Sequence, residues 1–197
     1  MLNGLIRTPI TKIMTPVARG LLRVGVTPNM VTAAGTLGAA ASTLLLYPTG
    51  HLFGGTIAIT AFIFSDVIDG TMARLSGKSS RWGALLDSTL DRIGDAAMFV
   101  GLVLFYVHHD HLLAVLAGVS LVAGGLVPYV KARAESLGIQ CDGGIAERAE
   151  RIIVILVSTG VSGLGVPYIG AIGLWLIAVA TVFTFIQRMM QVWRSNV

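Results

Sequence analysis

Six long apolar runs constrain the fold of this chain more than any other sequence feature. They extend over Val31–Tyr47, Leu52–Ile68, Leu85–Tyr106, Leu112–Val130, Ile152–Val166 and Tyr168–Phe185. A helix that crosses a bilayer needs about 17 to 25 residues, which is close to the length of these runs. Only 12% of the 197 residues are charged, whereas about a quarter are charged in soluble domains. The sequence therefore predicts an all-α membrane protein with six transmembrane helices.

The basic residues divide the predicted connections into two kinds. They cluster before the first span, in or just past the connection between spans two and three, around the connection between spans four and five, and after span six. These clusters are Arg7, Lys12, Arg19 and Arg23; Arg74, Lys78, Arg81 and Arg92; Lys131, Arg133, Arg148 and Arg151; and Arg188 and Arg194. The other three connections contain no Lys or Arg. Because cytoplasmic loops are enriched in these residues, we expect a multi-pass plasma-membrane protein with both termini in the cytoplasm. The sequence has no basic stripe interleaved with aromatic residues, so we expect no nucleic-acid partner.

The first residues differ in pattern from the predicted spans. Between Leu2 and Val24, apolar residues recur at helical spacing against four basic residues, which is typical of a helix lying in the membrane interface. Thr27–Asn29 then offers a break and an N-cap before the first span. We therefore predict an interfacial amphipathic helix over residues 1–24 and a six-helix membrane domain over residues 25–197.

Four aspartates interrupt two of the apolar runs. Asp66 and Asp69 are three residues apart, and Asp87 and Asp91 are four apart, so on helices each pair projects from one face. A charged residue deep in a membrane helix costs about 2.5 to 3.5 kcal/mol, so the four need a cation or a water-filled cavity. Carboxylate oxygens suit Mg2+ or Mn2+. The sequence thus predicts a polar, metal-binding cleft.

Two classes of protein place acids within membrane helices. In a transporter or channel they relay protons or cations, and such a relay should continue across the membrane. Here the four aspartates gather at one end of two predicted helices. This arrangement favours an enzyme that works from one membrane face, with the transporter as the alternative.

The spacing of these residues matches a family signature. The stretch reads D-x2-D-G-x2-A-R-x8-G-x3-D-x3-D from Asp66 to Asp91, and it resembles the CDP-alcohol phosphotransferases at every fixed position. The resemblance implies transfer of a substituted phosphate from a CDP-activated donor to an alcohol, and a homodimer. It implies two divalent metals (Mg2+ or Mn2+) on Asp66, Asp69, Asp87 and Asp91, with Asp91 also the general base. It further implies that the donor nucleotide contacts Asp66, Gly70, Ala73 and Arg74.

Two further stretches narrow the resemblance. "TPVARGLLRVGVTPN" and "YVKARAESLGIQCDGGIAERAER" are similar to segments of actinobacterial phosphatidylinositol phosphate synthases. This similarity implies CDP-diacylglycerol as donor, a myo-inositol phosphate as acceptor, and an active site on the cytoplasmic side of the membrane. The implied acceptor-phosphate residues are Lys131, Arg133, Arg151 and Arg188. A glycerol 3-phosphate acceptor, as in phosphatidylglycerol phosphate synthases, would also call for basic residues, and topology alone is the simplest explanation of any single one.

One acid lies outside the signature. Asp95 follows Asp91 by four residues, so it could support a metal site from the next helical turn. An ion pair with Arg92, three residues away, is the commoner arrangement for such a residue, and we expect that pair.

Overall fold

The computed structural model describes residues 14–77 and 80–195, in which every regular element is a helix. A helical stretch over residues 14–23 (α1) comes first. Seven helices follow: α2 (Pro28–Leu46), α3 (Leu52–Ile63), α4 (Ser65–Ser76), α5 (Arg81–Tyr106), α6 (His111–Ser136), α7 (Arg148–Ser162) and α8 (Ile169–Ser195). The all-α prediction is confirmed for the described residues.

The break predicted before the first span is present. Pro28 is the first residue of α2, and the Thr27 hydroxyl accepts a hydrogen bond from the Met30 amide at 3.3 Å. A threonine cap satisfies an amide that has no partner within the helix, and proline suits the first helical position because it has no N–H to leave unpaired. The local sequence therefore sets where α2 begins.

Four helical stretches are long and apolar enough to cross a membrane: Pro28–Leu46, Leu52–Ser76, His111–Ser136 and Ile169–Ser195. The second stretch combines α3 and α4. α5 has 26 residues, but all five of its charged residues lie between Arg81 and Asp95. α7 has only 15 residues. Six crossings therefore stay a prediction, as does the interfacial helix, whose residues 1–13 lie outside the described part.

The chain divides into two compact units, one of Met1–Ser42 with Ala58–Gly94 and one of Thr43–Ile57 with Asp95–Val197. In unit 1, two glycines of α2 allow a close approach to the segment around Phe64. A Cβ atom at Gly35 would overlap the Ser65 side chain, and one at Gly38 would overlap the Phe62 ring. This contact brings the backbone of α2 close to the start of α4, which carries the first aspartates.

In unit 2, α8 packs against both α6 and α7. Gly173 of α8 faces Ser158 of α7 so closely that an added Cβ would overlap the serine side chain. Pro128 lies inside α6, as the sequence indicates. The three helices form the frame that holds the loop over residues 137–147, between α6 and α7.

Candidate active site

Asp69 is the most buried of the four signature aspartates. It lies on α4 with 7% of its surface exposed, and its carboxylate accepts a hydrogen bond from the Thr32 hydroxyl of α2. The Thr32 hydroxyl also lies 3.1 Å from the Pro28 carbonyl oxygen. Asp69 is thus held in place from a second helix. Sequence reasoning missed Thr32, because nothing in α2 alone marks one threonine among several as a partner of α4.

Two aspartates of α5 lie within electrostatic range of Asp69. The charges of Asp87 and Asp91 both act on the Asp69 carboxylate. Asp87 is exposed, and Asp91 is partly buried. The guanidinium of Arg92 lies 3.9 Å from an Asp91 carboxylate oxygen, while Asp66 lies in the first turn of α4. The structure therefore places three of the four predicted residues, Asp69, Asp87 and Asp91, within electrostatic range in unit 1; we call them the acidic cluster.

The acidic cluster fits a divalent cation by its chemistry. Its donors are carboxylate oxygens, which Mg2+ and Mn2+ prefer, and mutually repelling carboxylates are stabilised by a cation between them. Within residues 14–77 and 80–195, however, no three acidic, histidine or cysteine side chains form a ready metal-binding group. A metal site formed by all four aspartates therefore stays a proposal.

The predicted nucleotide residues line the same helix. Gly70 has open space where a side chain would be, with no atom within 4 Å of an added Cβ. Arg74 is exposed and donates a hydrogen bond to the Thr71 hydroxyl at 3.1 Å. A small residue and an exposed cation on one helix leave room for an anionic ligand.

A cavity of about 460 Å³ lies in unit 1, and sequence reasoning did not predict it. Its polar lining comes from Thr27, Asn29, Ser76 and Ser80. Gly83 lies beside it, because an added Cβ there would be 3.3 Å from the Asn29 side-chain oxygen. Small-molecule sites range from about 300 to 1,000 Å³, so the cavity is large enough to hold part of a ligand. The polar residues around Pro28 are the only sequence signal for it.

Two of the predicted acceptor residues are buried arginines of unit 2. Arg188 of α8 is 4% exposed and donates hydrogen bonds to the carbonyl oxygens of Gly143 at 2.8 Å and Val127 at 2.7 Å. Arg151 of α7 is 2% exposed and donates to the Ala146 carbonyl oxygen at 3.1 Å. A buried charge requires compensating partners. Positive-inside topology alone would leave such side chains on the surface.

Asp95 corrects an expectation from the sequence. Its two carboxylate oxygens contact Arg148 at 3.1 Å and Arg151 at 3.6 Å, whereas the ion pair given for Arg92 is with Asp91. The expected pair of Asp95 with Arg92 is therefore wrong. The reason is that α7 presents two arginines to Asp95, and a carboxylate can accept from a separate cation at each oxygen.

Lys131 and Arg133 lie near the end of α6. The Lys131 ammonium contacts Asp142 at 2.9 Å and Glu135 at 3.9 Å. Its hydrogen bond and charge hold the pKa of Asp142 below its usual range. Arg133 is exposed, and its described hydrogen bond goes to Ser136 on the same helix. Lys131 lies within electrostatic range of Arg188, so the structure groups these two residues and gives no such contact for Arg133.

An apolar helical chain with an acidic cluster on two helices and buried arginines on others is an arrangement expected of a membrane enzyme. A family model of CDP-alcohol phosphatidyltransferases matches residues 25–186. The chain belongs to this family and is therefore a transferase of phospholipid biosynthesis.

Characterised relatives are close in sequence and structure. The phosphatidylinositol phosphate synthase of Streptomyces avermitilis is 46% identical over 205 residues, which cover 100% of this chain and 84% of that protein. The crystal structure of the Mycobacterium tuberculosis phosphatidylinositol phosphate synthase with CDP-DAG bound has a TM-score of 0.88 and 44% identity, covering 92% of this chain and 94% of that one. The same enzyme in complex with manganese and citrate has a TM-score of 0.88 and 45% identity, covering 91% and 88%.

Proposed function

We propose that this enzyme transfers the phosphatidyl group of CDP-diacylglycerol to a hydroxyl of a myo-inositol phosphate, with phosphatidylinositol phosphate and CMP as products. The observation that supports a phosphorylated acceptor is the presence of two nearly fully buried arginines, Arg151 and Arg188, in unit 2. Arginine is suited to bind phosphate through paired N–H donors. The relatives named above support the same donor and the same acceptor class.

The donor nucleotide binds along α4. Asp66, Gly70, Ala73 and Arg74 contact it, with the open space above Gly70 admitting the nucleotide close to the helix backbone. Arg74 places a positive charge near the pyrophosphate. The polar cavity that includes Asn29 and Ser76 provides hydrogen-bonding groups of the kind that a cytosine ring or a ribose requires.

Asp66, Asp69, Asp87 and Asp91 hold two divalent cations, Mg2+ or Mn2+. When bound, these cations neutralise the pyrophosphate and stabilise the attacking and leaving oxygens of an in-line displacement. The manganese in the Mycobacterium tuberculosis relative supports a divalent metal here. The hydrogen bond from Thr32 keeps Asp69 oriented, so that its carboxylate does not have to be ordered when the substrate binds.

Asp91 acts as the general base. It takes the proton from the acceptor hydroxyl while that oxygen bonds to the phosphorus of the phosphatidyl group. The bond from this phosphorus to the bridging oxygen of the pyrophosphate breaks, and CMP leaves. Asp91 is partly buried, and the Arg92 guanidinium lies 3.9 Å from one of its carboxylate oxygens; a carboxylate in such a position can serve as a general base.

Lys131, Arg133, Arg151 and Arg188 bind the acceptor phosphate. Asp95 orients Arg151 by contacting its guanidinium at 3.6 Å, while the Ala146 carbonyl holds another nitrogen of the same group. Because two contacts already hold the Arg151 side chain, it loses less conformational entropy when it binds phosphate. Asp95 thus has a positioning role that the sequence alone did not reveal.

The membrane arrangement is part of the proposal. The distribution of Lys and Arg supports six crossings, an interfacial helix over residues 1–24, and cytoplasmic placement of both termini and of the active site in the plasma membrane. The family resemblance further supports a homodimer.

An acceptor competition tests the function directly. Purified enzyme with CDP-diacylglycerol receives myo-inositol phosphate, free myo-inositol and glycerol 3-phosphate at equal concentrations, and CMP release and the lipid product are measured. We expect phosphatidylinositol phosphate to dominate. A phosphatidylglycerol phosphate product would assign glycerol 3-phosphate as the acceptor, and the absence of CMP release with every acceptor would refute CDP-diacylglycerol as the donor.

Neutralising a buried arginine should weaken acceptor binding selectively. For Arg151→Gln and Arg188→Gln we expect the acceptor KM to rise about ten- to a hundredfold, since a hydrogen bond to a charged group contributes about 1.5 to 3 kcal/mol. The KM for CDP-diacylglycerol should change little. Both constants are measured in folded, membrane-inserted protein with myo-inositol phosphate as the acceptor.

Two variants serve as controls for this prediction. Arg194→Gln removes an exposed charge from the last turn of the same helix, α8, and should leave both KM values unchanged. Arg188→Lys keeps the charge but loses the forked donor, and should fall between wild type and Arg188→Gln. Equal losses for donor and acceptor would indicate general damage, and no change in either would refute the phosphate role.

A further inference from the structure

The loop between α6 and α7 is fastened to α8 at several points. The Gly143 amide donates to the Gln191 side chain at 3.2 Å, and the Ala146 amide donates to the Thr184 hydroxyl at 3.0 Å. Cys141 is fully buried. Asp142 lies between two anchored residues, so its backbone position is set by the fold. Its side chain is nevertheless 72% exposed, which leaves the carboxylate accessible to solvent and to solutes.

The Asp142 carboxylate forms an ion pair with Lys131, one of the cations of the proposed acceptor site. It lies 2.9 Å from the Lys131 ammonium, and the charge of Arg188 acts on both Asp142 and Lys131. Lys131 and Arg188 are like charges that repel each other. The negative charge of Asp142 offsets this repulsion. Its carboxylate oxygen contacts the Lys131 ammonium as an oxygen of a bound phosphate would.

We propose that Asp142 is a built-in competitor of the acceptor phosphate: its carboxylate holds Lys131 in the free enzyme, and the incoming phosphate displaces it. This inference rests on the proposed acceptor role of Lys131. A carboxylate and a phosphate both bind an ammonium through anionic oxygens, so they compete for the same donors. An exposed ion pair is weak, so a phosphate bound by buried arginines as well can displace it.

The competitor has a second effect on the enzyme. It keeps Lys131 paired when no acceptor is bound, so other anions must also displace Asp142 to bind Lys131. Its removal should therefore strengthen acceptor binding, whereas loss of a residue that binds the acceptor would weaken it. The two roles predict changes of opposite sign.

Asp142→Asn tests the inference. We expect the acceptor KM to fall about two- to fivefold, the range that the loss of an exposed ion pair allows, with the KM for CDP-diacylglycerol unchanged. Inorganic phosphate, used as a competitive inhibitor, should inhibit the variant at proportionally lower concentrations than it inhibits wild type. This second measurement does not depend on which alcohol the enzyme uses.

Three further variants separate the possible outcomes. Glu150→Gln neutralises another exposed acid, in the first turn of α7, and should change neither constant. Lys131→Gln should raise the acceptor KM, and adding Asp142→Asn to it should have no further effect. A raised acceptor KM in Asp142→Asn alone would show that Asp142 binds the acceptor and would overturn the inference.

The failure of this inference can be told from that of the proposed function. If Lys131→Gln raises the acceptor KM but Asp142→Asn lowers neither that KM nor the inhibition constant of phosphate, the acceptor site stands and the competitor is refuted. If Lys131→Gln changes neither constant, the acceptor role of Lys131 is refuted, and the competitor with it.

Discussion

Turnover is expected to fall to background when divalent cations are removed by a chelator, and to return when Mg2+ or Mn2+ is added in excess. The acidic cluster places the charges of Asp69, Asp87 and Asp91 within range of one another, and a pyrophosphate donor brings more negative charge. At a distance of about 4 Å, two like charges repel by about 1 kcal/mol in water and by about 4 kcal/mol near a protein surface. Donor binding and the displacement should both fail without a cation.

The metal experiment needs a readout besides activity. Binding of Mn2+ to the protein alone is measured by titration, and we expect Asp69→Asn to weaken it strongly, because Asp69 is the buried, pre-oriented carboxylate of the cluster. Glu150→Gln should bind Mn2+ as wild type does. Full activity in the presence of chelator would contradict the metal proposal, and stoichiometric binding of one Mn2+ would reduce the two-metal site to one.

Asp91→Asn is expected to lower kcat about a hundredfold or more, which is the usual contribution of a general base. The KM for CDP-diacylglycerol should change much less, because a base acts only in the chemical step. Asparagine keeps the size and the hydrogen-bonding oxygen of the side chain, so the fold around α5 is preserved. Steady-state rates with saturating donor and acceptor give the comparison.

The two proposed roles of Asp91 are separated by the metal dependence of the variant. If Asp91→Asn keeps the wild-type Mn2+ affinity and loses rate, Asp91 is the base. If rate recovers at high Mn2+, the loss arises from metal binding. A variant with normal kcat would refute the base assignment. Asp87, the other aspartate of α5 in the cluster, would then be the candidate base.

The class of fold could be predicted from the sequence because it depends on local properties. Long apolar runs favour helices in a bilayer regardless of their neighbours, and Thr27–Pro28 ends one segment and begins α2 through contacts a few residues apart. The spacing of Asp66, Asp69, Asp87 and Asp91 likewise requires only helical periodicity to place each pair on one face. The family followed from the eight fixed positions of the signature between Asp66 and Asp91, and the comparison with known proteins confirms it.

The number of membrane spans depends on more than local hydropathy. The apolar runs predict six crossings. In the structure, however, the charges of α5 lie in its first 15 residues, and α7 is only 15 residues long. Hydropathy cannot say whether such helices cross the bilayer with charges near its surface or are covered by other helices. The answer depends on tertiary burial.

Partners of individual side chains were decided only by the tertiary structure. Asp95 pairs with Arg148 and Arg151, more than fifty residues away, in place of Arg92, three residues away, and Thr32 reaches Asp69 from another helix. Helical periodicity predicts which side chains share a face, but it carries no information on which face of another helix will meet them. From the sequence alone, the all-α class and the family could be predicted, and the metal chemistry of the four aspartates stays a prediction. Packing within each unit determined the ion pairs, because they form between whichever charged groups the packed helices bring within a few ångströms.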